Sequence, residues 1–187
     1  MTLSQEPDAE ESTSLQKESS APAFSILVVD DIQENLALLE EILQGHGYKT
    51  IATASAAEAL DIATRNRVHL VISDALMPRM DGLELCKNLR KRETVAQIPF
   101  IIYTGNYIDR ENRELARSVG VDRYVMKSDG IAALVNAVRE LVAQRYGNQF
   151  DNRQAEPAAM LDDRGFLQRH RELVSKKLVF GRRSRRC

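Results

Sequence analysis

Four short apolar runs in this chain end at side chains that can do chemistry. Ile26-Leu27-Val28-Val29 stops at Asp30-Asp31, and Val71-Ile72-Ser73 stops at Asp74. Ile101-Ile102-Tyr103 stops at Thr104, and Tyr124-Val125-Met126 stops at Lys127. Three carboxylates gathered in one place raise one another's cost of ionisation. A hard divalent cation removes that cost. A donor set made only of oxygen selects Mg2+, which keeps several waters and favours phosphate. A lone aspartate beside such an ion is a competent nucleophile for phosphorus. The ion neutralises charge developing on the phosphoryl oxygens, while a lysine and a threonine can reach those that remain. The chemistry to look for is phosphoryl transfer onto an aspartate.

That chemistry requires a scaffold that brings the ends of separate runs together. Five apolar runs alternate with five helical patterns. The first run spans 24–29, and a helix over 33–44 follows, with Leu36, Leu39, Ile42 and Leu43 on one stripe and Gly45 and Gly47 closing it. A short run over 48–52 precedes a helix to about residue 65, with Ser55 as N-cap and Glu58 completing a capping box. The third run, 68–73, leads to Asp74 and a helix over 83–92. The fourth, 99–103, leads to a more polar helix over 109–118 that stops at Gly120. After the run at 124–126, Ile131, Leu134, Val135, Val138, Leu141 and Val142 give a strongly periodic helix. Runs that are apolar throughout expect cover on both faces. Short strand–helix–strand repeats give right-handed crossovers and a parallel sheet. The expected architecture is an α/β, (βα)5 doubly wound, five-stranded parallel sheet of flavodoxin-like type. In such sheets ligands collect beyond the C-terminal strand ends, where Asp30, Asp31, Asp74, Thr104 and Lys127 fall.

These motifs, taken in order, resemble the receiver domain of two-component response regulators. The resemblance rests on Asp30-Asp31, on Asp74 followed by Met77-Pro78-x-Met80-Asp81-Gly82, on Thr104-Gly105, and on Tyr124-Val125-Met126-Lys127. It covers about residues 24–146 and touches every strand but the second with a motif. It implies that Asp74 is the phosphoacceptor. It also implies that Asp31 binds Mg2+, with Asp30 ligating directly or through water, Asp74 contributing, and the Leu76 backbone carbonyl as a further ligand. Lys127 would pair with Asp74 and then with the phosphoryl group. Thr104 would follow the phosphoryl oxygen, and Tyr124 would rotate inward as that hydroxyl moves. The implied donor is a sensor histidine kinase or a phosphotransfer protein. The implied output is a changed protein contact or self-association, through the face of the fourth helix, fifth strand and fifth helix or through a C-terminal helix.

Three positions depart from the family pattern. Ser128 stands where proline usually follows the lysine. A cis bond before a non-proline costs about 2.5–4 kcal/mol, so a trans bond is expected and the approach to the last helix differs. Gly105 replaces the more usual alanine and frees the loop after Thr104. Leu76 and Asn106 occupy positions that tune water access to the acyl phosphate in relatives. Leu76 offers no hydrogen bond to an attacking water, so slow self-dephosphorylation is expected.

Each residue also has an ordinary reading. Asp30 and Asp31 suit a helix N-terminus through the macrodipole alone. Asp74 suits a turn, Thr104 a satisfied strand-end hydroxyl, Lys127 a solvated charge, and Tyr124 a half-buried strand residue. Cys86, between Leu85 and Leu89 on a helical pattern, reads as packing. The joint register of the acids and Lys127 is what favours the chemical reading over these.

The 187 residues hold 43% apolar and 28% charged residues with a net charge of −1, which is ordinary globular composition and points to no strongly charged partner. Residues 1–23 carry five acids and one lysine, and read as a disordered acidic arm without a signal peptide's apolar region. Residues 147–160 read as a linker. Residues 161–187 read as a basic helical tail, with Phe166, His170, Leu173, Val174 and Leu178 on one face. That tail admits an extra packed helix, a docking or self-association helix, or salt-sensitive contact with nucleic acid through Arg182-Arg183-Ser184-Arg185-Arg186. Nucleic acid is not the expected partner, no run approaches the roughly 20 residues of a membrane span, and two cysteines without metal or disulfide spacing fit the cytoplasm. Rival functions are a non-phosphorylated receiver-like adaptor or dimerisation module, an aspartyl-phosphate phosphatase, and a flavin or nucleotide binder. The phosphatase wants a second acid at position 76, where this chain has leucine. The nucleotide binder wants a glycine-rich phosphate loop after the first strand, where this chain has two acids.

Overall fold

The computed structural model describes residues 24–105 and 110–147. The acidic arm, Asn106, nearly all of the linker and the basic tail lie outside the described residues. Five strands alternate with five helices: β1 Ser25–Val29, α1 Gln33–Gly45, β2 Lys49–Thr53, α2 Ala56–Arg65, β3 Leu70–Ser73, α3 Gly82–Arg90, β4 Phe100–Thr104, α4 Arg110–Ser118, β5 Arg123–Met126 and α5 Ile131–Tyr146. All strand pairs are parallel and the sheet order is β2-β1-β3-β4-β5. This is the flavodoxin-like sheet that the alternation of runs implies.

Alternate strand residues feed two separate cores. Leu27, Val29, Val71, Phe100 and Ile102 pack against α2, α3 and α4. Ile26, Val28, Ile72, Ile101 and Tyr103 pack against α1 and α5. Burying both faces explains why the strands read as unbroken apolar runs rather than alternating ones. Each fully buried Leu, Ile or Val contributes about 1.5–3 kcal/mol, and this double layer fixes the sheet edge on which the polar residues stand.

Local signals act as the sequence implies, with one exception. Ser55 caps α2 by accepting from the Glu58 N–H, but the expected capping box is only half made. The Glu58 carboxylate accepts instead from the Thr53 hydroxyl, and Thr53 Oγ1 in turn accepts from the Ser55 N–H. Thr53, the last residue of β2, outcompetes the Ser55 backbone because its hydroxyl lies in the path of the glutamate. The complete box belongs to α3. Asp81 accepts from Glu84 N–H at 2.8 Å and the Glu84 carboxylate accepts from Asp81 N–H at 3.4 Å, so α3 begins at Gly82.

Two polar clusters tie the far side of the sheet. The Arg90 guanidinium donates to the carbonyls of Ala96, Ile98 and Gly120 and to Asp122, which also accepts from Phe100 N–H. One side chain thus joins α3, the entry to β4 and the turn before β5. Cys86 is buried, donates to the Val119 carbonyl at 3.7 Å and has its thiol pushed up to about 11 by burial, in keeping with a packing role. At the N-terminal edge, His69 lies buried against Phe24 and Tyr146, whose hydroxyl donates to the His69 carbonyl at 2.9 Å.

His69 Nδ1 accepts from Ser25 N–H at 3.0 Å, so the ring is neutral. Burial and the Arg67 charge hold its pKa below the ordinary 6.5. The unfolded chain therefore binds the proton more readily. This contribution to stability is complete above pH about 6.5 and falls as pH drops below it. Urea midpoints at pH 7.5 and 5.5 will show a larger acid loss for wild type than for His69→Asn, whose amide oxygen keeps an acceptor without titrating.

Candidate functional site: an acid and lysine cluster at the C-terminal sheet edge

The parallel register places the end of each strand beside the next. Val29 pairs with Ser73, so Asp30 and Asp74 follow as neighbours, and Asp74 N–H donates to the Val29 carbonyl at 2.8 Å. Thr104 pairs with Met126, so Lys127 emerges one residue beyond it. Lys127 opens a single 3-10 turn, Lys127–Asp129, in which Asp129 accepts from Met126 N–H at 3.1 Å. This turn carries the chain into α5.

The side chains then meet. Lys127 Nζ lies 2.8 Å from Asp30 Oδ2 and 3.2 Å from Asp74 Oδ1, with all three residues buried. The ammonium also stands 5.6 Å from the centre of the Tyr103 ring, within cation–π range. Asp74 Oδ2 accepts from Leu76 N–H at 3.0 Å. Asp30 accepts from Ile32 N–H at 2.9 Å and from Asn35 Nδ2 at 2.9 and 2.8 Å. Asp31 is half-buried at the start of the turn into α1. One ammonium cancels one charge of the buried Asp30–Asp74 pair, and the desolvation cost of buried ions makes the remaining charge expensive.

Among the described residues no set of three or more His, Cys, Asp or Glu side chains closes into a ready metal cage. Mg2+ does not require one, because it binds through one or two carboxylates and keeps the rest of its shell as water. The oxygen-only donor set at Asp31, Asp74 and the Leu76 carbonyl fits that ion.

Thr104 is fully buried at the end of β4. Tyr124, on β5, turns its hydroxyl into the protein. Its pKa is pushed up to about 12, first by burial and then by the charge of Asp74, while Arg113 and the Thr104 hydroxyl pull it down. Thr104 approaches the phenol without closing a well-aligned hydrogen bond to it. The Arg113 guanidinium sits 5.8 Å over the Tyr124 ring, which links α4 to the site.

Every site residue named from the sequence is therefore found along this edge. Asp30, Asp74 and Lys127 are brought into direct contact, Thr104 and Tyr124 adjoin them, and Leu76 contributes its N–H to Asp74. The sequence reading missed Asn35 and Tyr103, and took Gly82 only as part of the motif after Asp74. Asn35 carried a signal, since it is a polar residue on the inward stripe of α1, four and seven residues before Leu39 and Ile42.

The matching family model is the response regulator receiver domain, over residues 26–139. The chain belongs to the response regulator receiver family. The receiver is 30% identical over 115 residues to the polar-differentiation response regulator DivK of Brucella ovis, covering 62% of this chain and 93% of that protein. The chemotaxis protein CheY4 of Vibrio cholerae superposes with a TM-score of 0.60 at 26% identity, over 64% of this chain and 98% of that one. The receiver domain of a signal transduction histidine kinase from Syntrophus aciditrophicus gives 0.61 at 31% identity, over 66% and 93%. The receiver domain of a sensor histidine kinase from Pseudomonas aeruginosa, which has a magnesium ion coordinated in its active site cleft, gives 0.59 at 26% identity, over 65% and 98%.

Gly82 is fixed by space. A Cβ there would collide with the Asp74 carbonyl oxygen and lie 2.9 Å from Ile102 Cδ1. Gly82→Ala will lower stability by about 1–3 kcal/mol through overpacking, read as a lower urea midpoint.

Proposed function

We propose that this receiver is a phosphorylation-dependent response regulator of a two-component or phosphorelay system. Asp74 accepts a phosphoryl group from a phosphohistidine on a sensor histidine kinase or phosphotransfer protein. The observation that carries this reading is the Lys127 ammonium shared between Asp30 and Asp74 on the strand-end edge.

An Asp74 carboxylate oxygen attacks phosphorus, the donor's P–N bond breaks, and the imidazole leaves with its electron pair. Leu76 N–H and Lys127 hold the Asp74 carboxylate in one orientation for that attack. Bound Mg2+, whose binding is typical of the family, would neutralise charge on the phosphoryl oxygens; Asp31, Asp74 and the Leu76 carbonyl would hold it. Lys127 then turns from carboxylate to phosphoryl oxygen, and Thr104 supplies a hydroxyl to another. Withdrawal of Thr104 toward the phosphoryl group changes the surroundings of Tyr124 and, through Arg113, of α4. The output is a protein–protein contact or self-association on the α4–β5–α5 face, where Leu115 is an exposed apolar residue, or through the C-terminal segment. The protein works in the cytoplasm as a switch that assists its own phosphotransfer and dephosphorylation rather than as an enzyme on other substrates. Within the described residues no helix is long and apolar enough to cross a membrane.

Incubation with a small phosphodonor such as acetyl phosphate will label the wild type in the presence of Mg2+. It will not label Asp74→Asn, nor the wild type in excess chelator. No label in the wild type with any donor would favour the adaptor reading, and label retained by Asp74→Asn would move the acceptor to another residue.

Leu76 is 56% exposed beside Asp74 and carries no group to orient an attacking water. Leu76→Glu will shorten the half-life of the phosphorylated form roughly tenfold, less than the hundredfold or more of a fully positioned general base because the side chain is exposed, measured by loss of label after removal of the donor.

A further inference from the structure

The Asp30 carboxylate has about four acceptor positions, and intrachain donors occupy all of them. Ile32 N–H takes Oδ1, Lys127 Nζ takes Oδ2, and Asn35 Nδ2 lies between the oxygens at 2.9 and 2.8 Å. Asn35 is itself buried, in the first turn of α1. Its amide is neutral, so it satisfies the carboxylate without cancelling its charge. A leucine there would leave buried oxygens short of donors, and a lysine would remove the negative charge that a cation needs.

We propose that Asn35 is a positioning residue for the metal site. It fixes the plane of the Asp30 carboxylate and keeps Oδ2 hydrogen-bonded when Lys127 departs. Asp30 then acts on Mg2+ through a bound water, because direct ligation would have to displace one of its donors. Lys127 becomes free to move at low cost, since the oxygen it leaves already has a second donor. Asn35 thereby sets Mg2+ affinity without touching the ion, and loss of such an outer partner typically weakens metal binding 10- to 100-fold. The metal half of this inference needs only that the site binds Mg2+; the Lys127 half rests on Asp74 as phosphoacceptor.

The test is calorimetric titration of the full chain with Mg2+, for wild type and for the near-isosteric Asn35→Leu, with Asn35→Ala as a smaller second variant. Thermal unfolding establishes that each is folded. Asn35→Leu is expected to weaken Mg2+ binding at least tenfold, and labelling by acetyl phosphate at saturating Mg2+ is expected to slow, because Lys127 would then leave Asp30 Oδ2 with no second donor. In the wild type, the Asn35 side-chain amide resonances in a 15N-resolved spectrum should shift with the Mg2+ titration. Unchanged Mg2+ affinity in a folded Asn35 variant, or Asn35 amide resonances indifferent to saturating Mg2+, would overturn the assignment. If the phosphoacceptor reading alone were wrong, labelling would fail in the wild type while the affinity difference and the amide shift remained.

Discussion

The buried ammonium of Lys127, held between Asp30 and Asp74, is the interaction on which the rest of the site depends. Two carboxylates out of water repel each other, and the lysine makes their proximity tolerable. It also keeps Asp74 oriented and unprotected by any covalent partner. The whole double-layered core serves this end, since only a parallel sheet with short strands brings residues 30, 74 and 127 to one edge. Breaking the trio by removing the cation would strand two buried charges. Bringing in a second cation relieves the same strain, so the resting structure and metal binding draw on one electrostatic deficit.

The fold was legible because both faces of the sheet are covered. Unbroken apolar runs and periodic helices left little choice of architecture, and the place of Asp30, Asp74, Thr104 and Lys127 on one edge was visible from their position at the end of each run. What escaped was everything that depends on who stands across from whom. Periodicity places Asn35 on the inward stripe of α1 but cannot say that Asp30 is its partner. The spacing of Asp81-Gly82 suggests a turn, whereas the actual constraint at Gly82 is the Asp74 carbonyl pressed against its Cα. Ser55 and Glu58 match a capping box by spacing, yet Thr53, two residues earlier and in another element, captures the glutamate. Arg90 reads as one more surface base on a helix, and only the chain crossing beside it reveals three carbonyls in reach.

The relatives bear on this in one particular way. They match the receiver nearly from end to end, but cover about two thirds of this chain. The shared part accounts for the sheet and its edge. The basic segment at 161–187 lies outside both the described residues and the stretch matched by the family.

The two cores have a consequence for how such a domain can diverge. Lys127, Asn35 and Tyr103 approach the edge from the α1–α5 layer, whereas Gly82, Tyr124 and Arg113 approach from the α2–α4 layer. Asp74, on the central strand, is the seam between them. A substitution on one layer repacks its own side of the sheet, and the strand-end edge is where side chains from the two layers meet.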